Sequence, residues 1–388
     1  MSVWDTLVGQ ERVISILREA AERGSLSMSN TWLFTGPPGS GRSNAAMAFA
    51  AALHCPRAGC GACHACETAL ASSHADVTVM RTDKLSLGVD EVRDLVRTAA
   101  LAPVGGGYQV IVVEDADRLT ERAANAFLKA IEEPSARTVW LLCAPTVEDV
   151  LPTIRSRARL VTLTTPTAQA VAEFLARDPE VGPEMAAYAA RASQGHIGRA
   201  KALARQEAVR NRREHVVALP AKLERLTDGL NAALNLVEST KEEAEEITAV
   251  LDAREKADLD AAHGLVARGR RSSTYNRDHS EMERNQKTRA KRRVLDVVDR
   301  SLMDLVSYYR DVVAVSAGAH GDLVNEERRS EIETVARRIG AEGALRRIEA
   351  IFTAREQMLE FNVQPQLALE SLMTVLQLPP RSGVAAGG

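Results

Sequence analysis

The sequence predicts an α/β domain built on a parallel sheet, followed by a small helical domain and an all-α C-terminal domain. Three observations carry this. Short β-rich apolar runs alternate with longer helical patterns over the first 165 residues. Strand signals stop after Thr165-Pro166. Beyond that point apolar residues recur only at three- and four-residue steps. The chain has 388 residues, more than one compact core accommodates, and a prior of about 150 residues per domain gives two or three.

The strand-like runs are Thr31–Thr35, Val77–Met80, Gln109–Val113, Thr138–Cys143 and Leu160–Leu163. They are short and apolar throughout, as suits strands buried on both faces of a parallel sheet. Between them lie the helical patterns Glu11–Arg23, Ser43–Leu53, Val89–Ala100 and Glu121–Ile131. Thr167–Ala176 and Pro183–Arg191 read as short helices, then a turn at Gln194–Gly198 and a helix over Arg199–Glu207. Val294, Leu295, Val298, Leu302, Leu305, Tyr309 and Val312 mark an amphipathic helix, and Ala344–Phe361 and Pro365–Leu376 repeat its signature. Pro379–Gly388 reads as a disordered tail.

Composition is that of a soluble globular protein, with 45% hydrophobic and 26% charged residues, which argues against global disorder. Aromatics at 4% leave the cores to Ala, Leu, Val and Ile. A formal net charge of −3 argues against a strongly basic, autonomous nucleic-acid binder. No secretory signal is read in MSVWDTLVGQERV, and the longest apolar run, Ala45–Leu53, is about half a membrane span. A cytoplasmic, non-membrane protein is expected. Charge separates late in the chain. Residues 241–260 carry eight acids against three bases, and 265–293 carry ten bases against three acids. The second stretch reads as an exposed helix or a mobile insertion, with a solvated segment favoured over a nucleic-acid contact.

Four of the five cysteines, Cys55, Cys60, Cys63 and Cys66, share one twelve-residue window. In a reducing compartment such a cluster is a metal site rather than a disulfide set. Four thiolates on a tight loop suit a tetrahedral Zn2+ with Zn–S bonds of ~2.3 Å, redox chemistry being the minor alternative. His64 sits within the cluster, but four sulfurs already close a structural site. Cys143 falls on a predicted buried strand and reads as a small apolar residue.

After the first strand comes Gly36-Pro37-Pro38-Gly39-Ser40-Gly41-Arg42-Ser43. This spacing lets backbone N–H groups curl around phosphate at a helix N-terminus, the frame of an ATP/Mg2+ loop. Ser43 keeps the metal-facing hydroxyl, but Arg42 stands where lysine reaches the β- and γ-phosphates. A planar guanidinium does not replace a compact ammonium. The run Val110–Val113 then ends in Glu114-Asp115, resembling a Walker B element with its two acids in reversed order. Misplacement by ~1 Å can cost on the order of 10²-fold in rate, so poor or absent hydrolysis is expected.

Further segments resemble the bacterial clamp-loader AAA+ family. Leu128-Lys129-Ala130-Ile131-Glu132-Glu133-Pro134 is similar to its L-L-K-x-L-E-E-P stretch, and Thr153-Ile154-Arg155-Ser156-Arg157 to its S-R-C motif, with Ala158 replacing the cysteine. Val8-Gly9-Gln10 resembles the V-G-Q near the adenine pocket, and the cysteine cluster resembles the family's zinc module. The similarity runs from residue 5 to about 205, in the family's order. It implies a AAA+ domain over 1–165 with a zinc module at about 55–66, a helical lid over 166–208, and a collar over 209–378 with a charged insertion at 265–293. It also implies that Arg157 acts as an arginine finger on a neighbour's γ-phosphate. Arg199, in Gly195-His196-Ile197-Gly198-Arg199, has two readings, a sensor 2 arginine or a surface residue at a helix start. Cys143-Ala144-Pro145 stands where many members carry a polar sensor 1 residue. The implied role is a weakly hydrolysing subunit of a hetero-pentamer with motor subunits and a clamp-opening subunit, loading a sliding clamp onto primed DNA. The alternatives are an active ATPase of the clamp-loader type, either a motor subunit or a branch-migration helicase, and a zinc-dependent interaction protein with a vestigial nucleotide fold.

Overall fold

The structure is a computed structural model describing residues 2–22, 24–82, 86–135, 137–263 and 273–379. The chain divides into two compact units, Met1–Arg205 and Gln206–Gly388.

In the first unit five parallel strands, β1 (Thr31–Thr35), β2 (Val77–Met80), β3 (Gln109–Val113), β4 (Thr138–Ala144) and β5 (Arg159–Thr162), lie in the order β2-β3-β4-β1-β5. Successive side chains leave opposite faces of a strand, and the core divides accordingly. Trp32, Phe34, Val110, Val112, Leu141 and Cys143 pack on one face with helices α1 (Glu11–Ala21) and α2 (Arg42–His54). Helix α3 (His64–Leu70) sends Cys66 and Ala69 into that same layer. Leu33, Ile111, Val113, Trp140 and Leu142 pack on the other face with α4 (Val89–Ala99) and α5 (Glu121–Glu132). Burial on both faces holds for β1, β3 and β4; the outer strands depart from that expectation, with Thr78–Met80 of β2 half-buried and Leu160 and Thr162 of β5 exposed, because each has a neighbour on one side only.

Local signals set the boundaries. The Thr120 hydroxyl accepts the Ala123 N–H and starts α5, and Glu91 accepts the Gly88 N–H at the start of α4. Strand β5 begins at Arg159, one residue earlier than expected, because Arg159 lies opposite Trp32 in register and its guanidinium stacks 4.8 Å from that indole. A short helix α6 (Pro152–Arg155) precedes it, and α7 (Ala168–Leu175), α8 (Pro183–Ser193) and α9 (Ile197–Arg205) follow it. Helix α9 starts two residues before the expected Arg199. The left-handed pair Gln194 and Gly195 completes the turn by then.

The second unit is all helical: α10 (Glu207–Val217), α11 (Leu219–Lys222), α12 (Leu226–Ala262), α13 (Ser273–Ser316), α14 (Arg329–Leu359) and α15 (Pro365–Leu376). Its core joins Leu236, Val298, Leu302, Leu305, Tyr309, Ile351 and Leu372. Helix α14 kinks at Gly340, with φ 64° and ψ −179°, so the pattern over Ala344–Phe361 is the second half of a bent helix. Residues 273–293 of the charged stretch are helical and partly packed, with Tyr275 and Arg289 buried, rather than a wholly exposed helix. Residues 265–272 of that stretch, and 380–388 of the expected tail, lie outside the described residues.

Candidate phosphate loop, arginine and cysteine sites

The phosphate loop joins β1 to α2, and its three glycines adopt positive φ: 151° at Gly36, 82° at Gly39 and 96° at Gly41. Gly39 is boxed in by His196, since a Cβ there would lie 2.3 Å from the imidazole Cγ. The Ile197 N–H also reaches the Gly39 carbonyl at 3.4 Å. Arg42 turns back on its own loop, donating from Nη1 to the Gly36 carbonyl at 2.8 Å. Ser43 is half-buried one residue further into α2. Arg199, in the first turn of α9, donates its backbone N–H to His196 Nδ1 at 3.2 Å, so lid and loop meet through one histidine.

The reversed acids sit at the C-terminal edge of β3. Glu114 pairs with Arg81 at 2.9 Å, and Asp115 pairs with Arg118 at 3.4 Å while accepting the Thr82 N–H at 3.3 Å. Both are therefore bound within their own unit. Burial raises the Asp117 carboxyl above the ordinary range. Cys143, fully buried on β4, is pushed up by burial and then by the charges of Glu114, Asp115 and Asp117, with Arg42 opposing. These groups thus surround the position where the family carries a polar residue.

Arg157 lies just after α6, with about 41% of its side chain exposed. Its Nη2 meets Glu132 Oε1 at 2.6 Å, and its Nη1 donates to the Thr153 carbonyl at 2.9 Å. Its neighbour Arg159 is a structural residue, bonded to the Ser27 carbonyl and stacked on Trp32. Gln10 is buried and bridges to the chain after β5, donating to the Thr164 carbonyl at 2.7 Å and accepting the Thr164 N–H at 3.2 Å. A cavity of about 430 Å³ opens beside it, lined in part by Gly9, Arg12, Ile16, Leu160 and Thr162.

Cys55, Cys60, Cys63 and Cys66 offer four sulfurs all within 4.8 Å of one another. The Cys55 sulfur lies 3.6 Å from that of Cys60 and 3.7 Å from that of Cys63. A tetrahedron of ~2.3 Å Zn–S bonds has edges of ~3.8 Å, so the spacing fits such an ion. The N–H groups of Arg57 and Cys60 point at the Cys55 sulfur, each at 3.4 Å. Burial opposes ionisation of Cys55, yet these N–H groups and that of Gly59 bring its thiol down to about 6. Burial pushes Cys66 up to about 12. A short N-terminal turn, Val3–Thr6, braces the loop, with Trp4 Nε1 donating to the Ala58 carbonyl at 3.0 Å and the Val3 N–H to the Gly59 carbonyl at 3.1 Å.

Sequence reasoning met Glu132 and His196 only as members of longer motifs and gave them no role, and it singled out neither Arg81 nor Asp117. Arg81 and Glu114 become neighbours only once the β2–β3 pairing is known.

A five-stranded parallel sheet with a phosphate loop after β1, acids at the tip of β3 and three helices following β5 defines a AAA+ P-loop protein. The family model described as "DNA polymerase III, delta subunit" matches residues 9–167, and "DNA polymerase III, delta subunit, C terminal" matches 296–377. The chain belongs to this bacterial clamp-loader family. DNA polymerase III subunit delta' of Pseudomonas aeruginosa is 38% identical over 160 residues, covering 40% of this chain and 49% of that protein. Subunit delta' of Escherichia coli is 38% identical over 146 residues, 37% of this chain and 44% of that one. Subunit gamma/tau of Mycobacterium tuberculosis is 36% identical over 156 residues, 39% of this chain and 27% of that one. The matched stretch spans about half or less of each relative's length. Among the described residues no helix is long and apolar enough to cross a membrane.

Proposed function

We propose that this chain is a delta-prime-type stator of the DNA polymerase III clamp loader. It joins gamma/tau motor subunits and the delta subunit in a hetero-pentamer that loads the sliding clamp onto primed DNA. Arg157 serves as its finger, neutralising charge that develops on a neighbour's phosphoryl group, a contribution of about 10³–10⁵ in kcat where such fingers operate. Its own site, built from Gly36, Gly39, Gly41, Arg42, Ser43, Glu114, Asp115 and Arg199, holds ATP/Mg2+ weakly or not at all and does not hydrolyse it. Cys55, Cys60, Cys63 and Cys66 hold a structural Zn2+ that fixes their loop and takes no part in chemistry.

The observation that carries this reading is the contrast between two arginines. Arg42 is half-buried and turned onto the Gly36 carbonyl of its own loop, while Arg157 is exposed, held by Glu132 and by the Thr153 carbonyl at the surface. Exposed Leu226, Leu230 and Leu234, at four-residue steps on α12, support assembly through the C-terminal unit, because apolar residues in register on one face mark contact surfaces. Similarity to gamma/tau favours a motor reading, but a motor needs the lysine and the Asp-Glu order that this chain lacks. Omission from a reconstituted loader tests the role. Without this chain, retention of the sliding clamp on primed DNA should fall to background. Undiminished loading would refute the assignment.

A further inference from the structure

Helices α12 and α13 form a long antiparallel hairpin, and only part of it belongs to the core of the second unit. Core residues of α12 end at Val237 and those of α13 begin at Val298, with Val294 and Leu295 at the margin. The remainder is held by polar contacts. Arg289 bonds Glu255 at 2.8 Å and Asp252 at 2.6 Å, Arg300 bonds Glu243 at 2.7 Å, and the Tyr275 hydroxyl donates to Asp260 at 2.7 Å. The acids of 241–260 and the bases of 273–293 are thus partly spent on each other across the seam.

What the seam leaves over is one-sided. At 3.6 residues per turn, Arg277, Arg284, Lys287 and Lys291 fall within an arc of about 80° on α13, opposite the buried Tyr275 and Arg289. All four are exposed. Among the described residues Arg284, Lys287 and Lys291 have no ion pair, while Arg277 meets Asp278 at 3.2 Å. Two exposed carboxylates border the row, Glu281 on the Arg277 side and Glu283 on the Lys287 side, where it meets His279 at 3.7 Å, and Ser280 and Thr288 lie along it. The row spans about 21 Å at 1.5 Å per residue.

We infer that this row is a binding surface for the phosphate backbone of duplex DNA. Over ~21 Å a duplex presents about a dozen phosphates at one per ~1.7 Å, so four cations find partners without any fixed register. At its C-terminal end Lys291 borders a groove lined by Val237, Val294, Leu295 and Met358, whereas from Arg277 to Thr288 the row carries no apolar side chain of the kind a protein partner's interface core requires. The contacts invoked are to phosphate oxygens, which carry no sequence information, so binding is expected to be independent of sequence. The surface is separate from the Arg157 site and does not rest on the stator reading.

Fluorescence anisotropy of a labelled 24-base-pair duplex, titrated with the full-length chain between 50 and 200 mM salt, tests the inference. The wild type should bind with a log–log salt slope near −3.6, or −0.9 per phosphate contact. The triple variant Arg284→Gln, Lys287→Gln, Lys291→Gln should bind at least about tenfold more weakly at 50 mM salt, with a slope shallower by about 2.7. The charge-preserving double variant Lys287→Arg, Lys291→Arg, with Arg284 intact, should keep both at their wild-type values. These residues are exposed, so the helical circular dichroism of each variant should match the wild type. No binding by the wild type, or an unchanged slope in the triple variant, would overturn the inference. A preference for polyglutamate over duplex at equal charge would transfer the surface to an acidic protein.

Discussion

At the scale of single residues, Gly59 does two tasks at once. Its φ of 101° is a conformation that a side chain resists, and a Cβ there would stand 2.7 Å from Val3 Cγ2. Gly59→Ala should therefore cost about 1–3 kcal/mol and weaken metal retention, read by thermal melting and by zinc content. Removing a ligand acts on the same loop. Cys63→Ser, or chelation, should lower the melting temperature by roughly 5–15 °C, because metal binding and local folding are one equilibrium. The Arg157–Glu132 pair behaves differently. With 41% and 45% of the two side chains exposed, it is worth about 0–1 kcal/mol. Glu132→Gln should leave the melting temperature within about 2 °C of wild type, as expected of a contact that exchanges on assembly. Of these residues the cysteines were legible from sequence, since thiolates close in space are also close in the chain. Glu132 was not, because its partner lies 25 positions away on another element.

Elements were legible where a single period governed them. β1 and β3 match their apolar runs because both faces of each strand are buried, and the edge strand β2 matches its run although only Val77 is fully covered. The α12–α13 hairpin was not legible as a unit. Its seam is built from Asp252, Glu255 and Arg289, a charged set that reads as solvated surface until the helices are placed side by side. Arg289 lowers the Glu255 carboxyl below its ordinary value of 4.5. A lowered acid supplies stability that is fully present above its unfolded value and is lost as pH falls through its folded one. The wild type should therefore melt above Glu255→Gln at pH 7, and the two should converge as pH falls from 4.5 through the lowered folded value. Arg289→Ala strands two acids at a half-buried seam and should cost about 1–3 kcal/mol, visible as faster amide exchange over residues 245–262.

For the molecule as a whole, the proposed function rests on an imbalance between its two ends of nucleotide chemistry. Loop glycine Gly39 is covered by His196, Arg42 is folded onto Gly36, and both β3 acids are paired internally, whereas Arg157 is exposed and would leave a surface pair with Glu132 and hydrogen bonds to Thr153 and Ser156. The reversed acids and the missing lysine were visible in the sequence. The closing of loop and lid through His196 needed the fold, because it joins residues 157 positions apart. The most direct measurement is steady-state ATPase of the complex reconstituted with gamma/tau and delta, comparing wild type, Arg157→Ala and Arg42→Ala. Arg157→Ala should abolish the turnover of the one motor site that it completes, and Arg42→Ala should leave the rate nearly unchanged. Full activity with Arg157→Ala, or equal and severe losses from both substitutions, would contradict that division of labour.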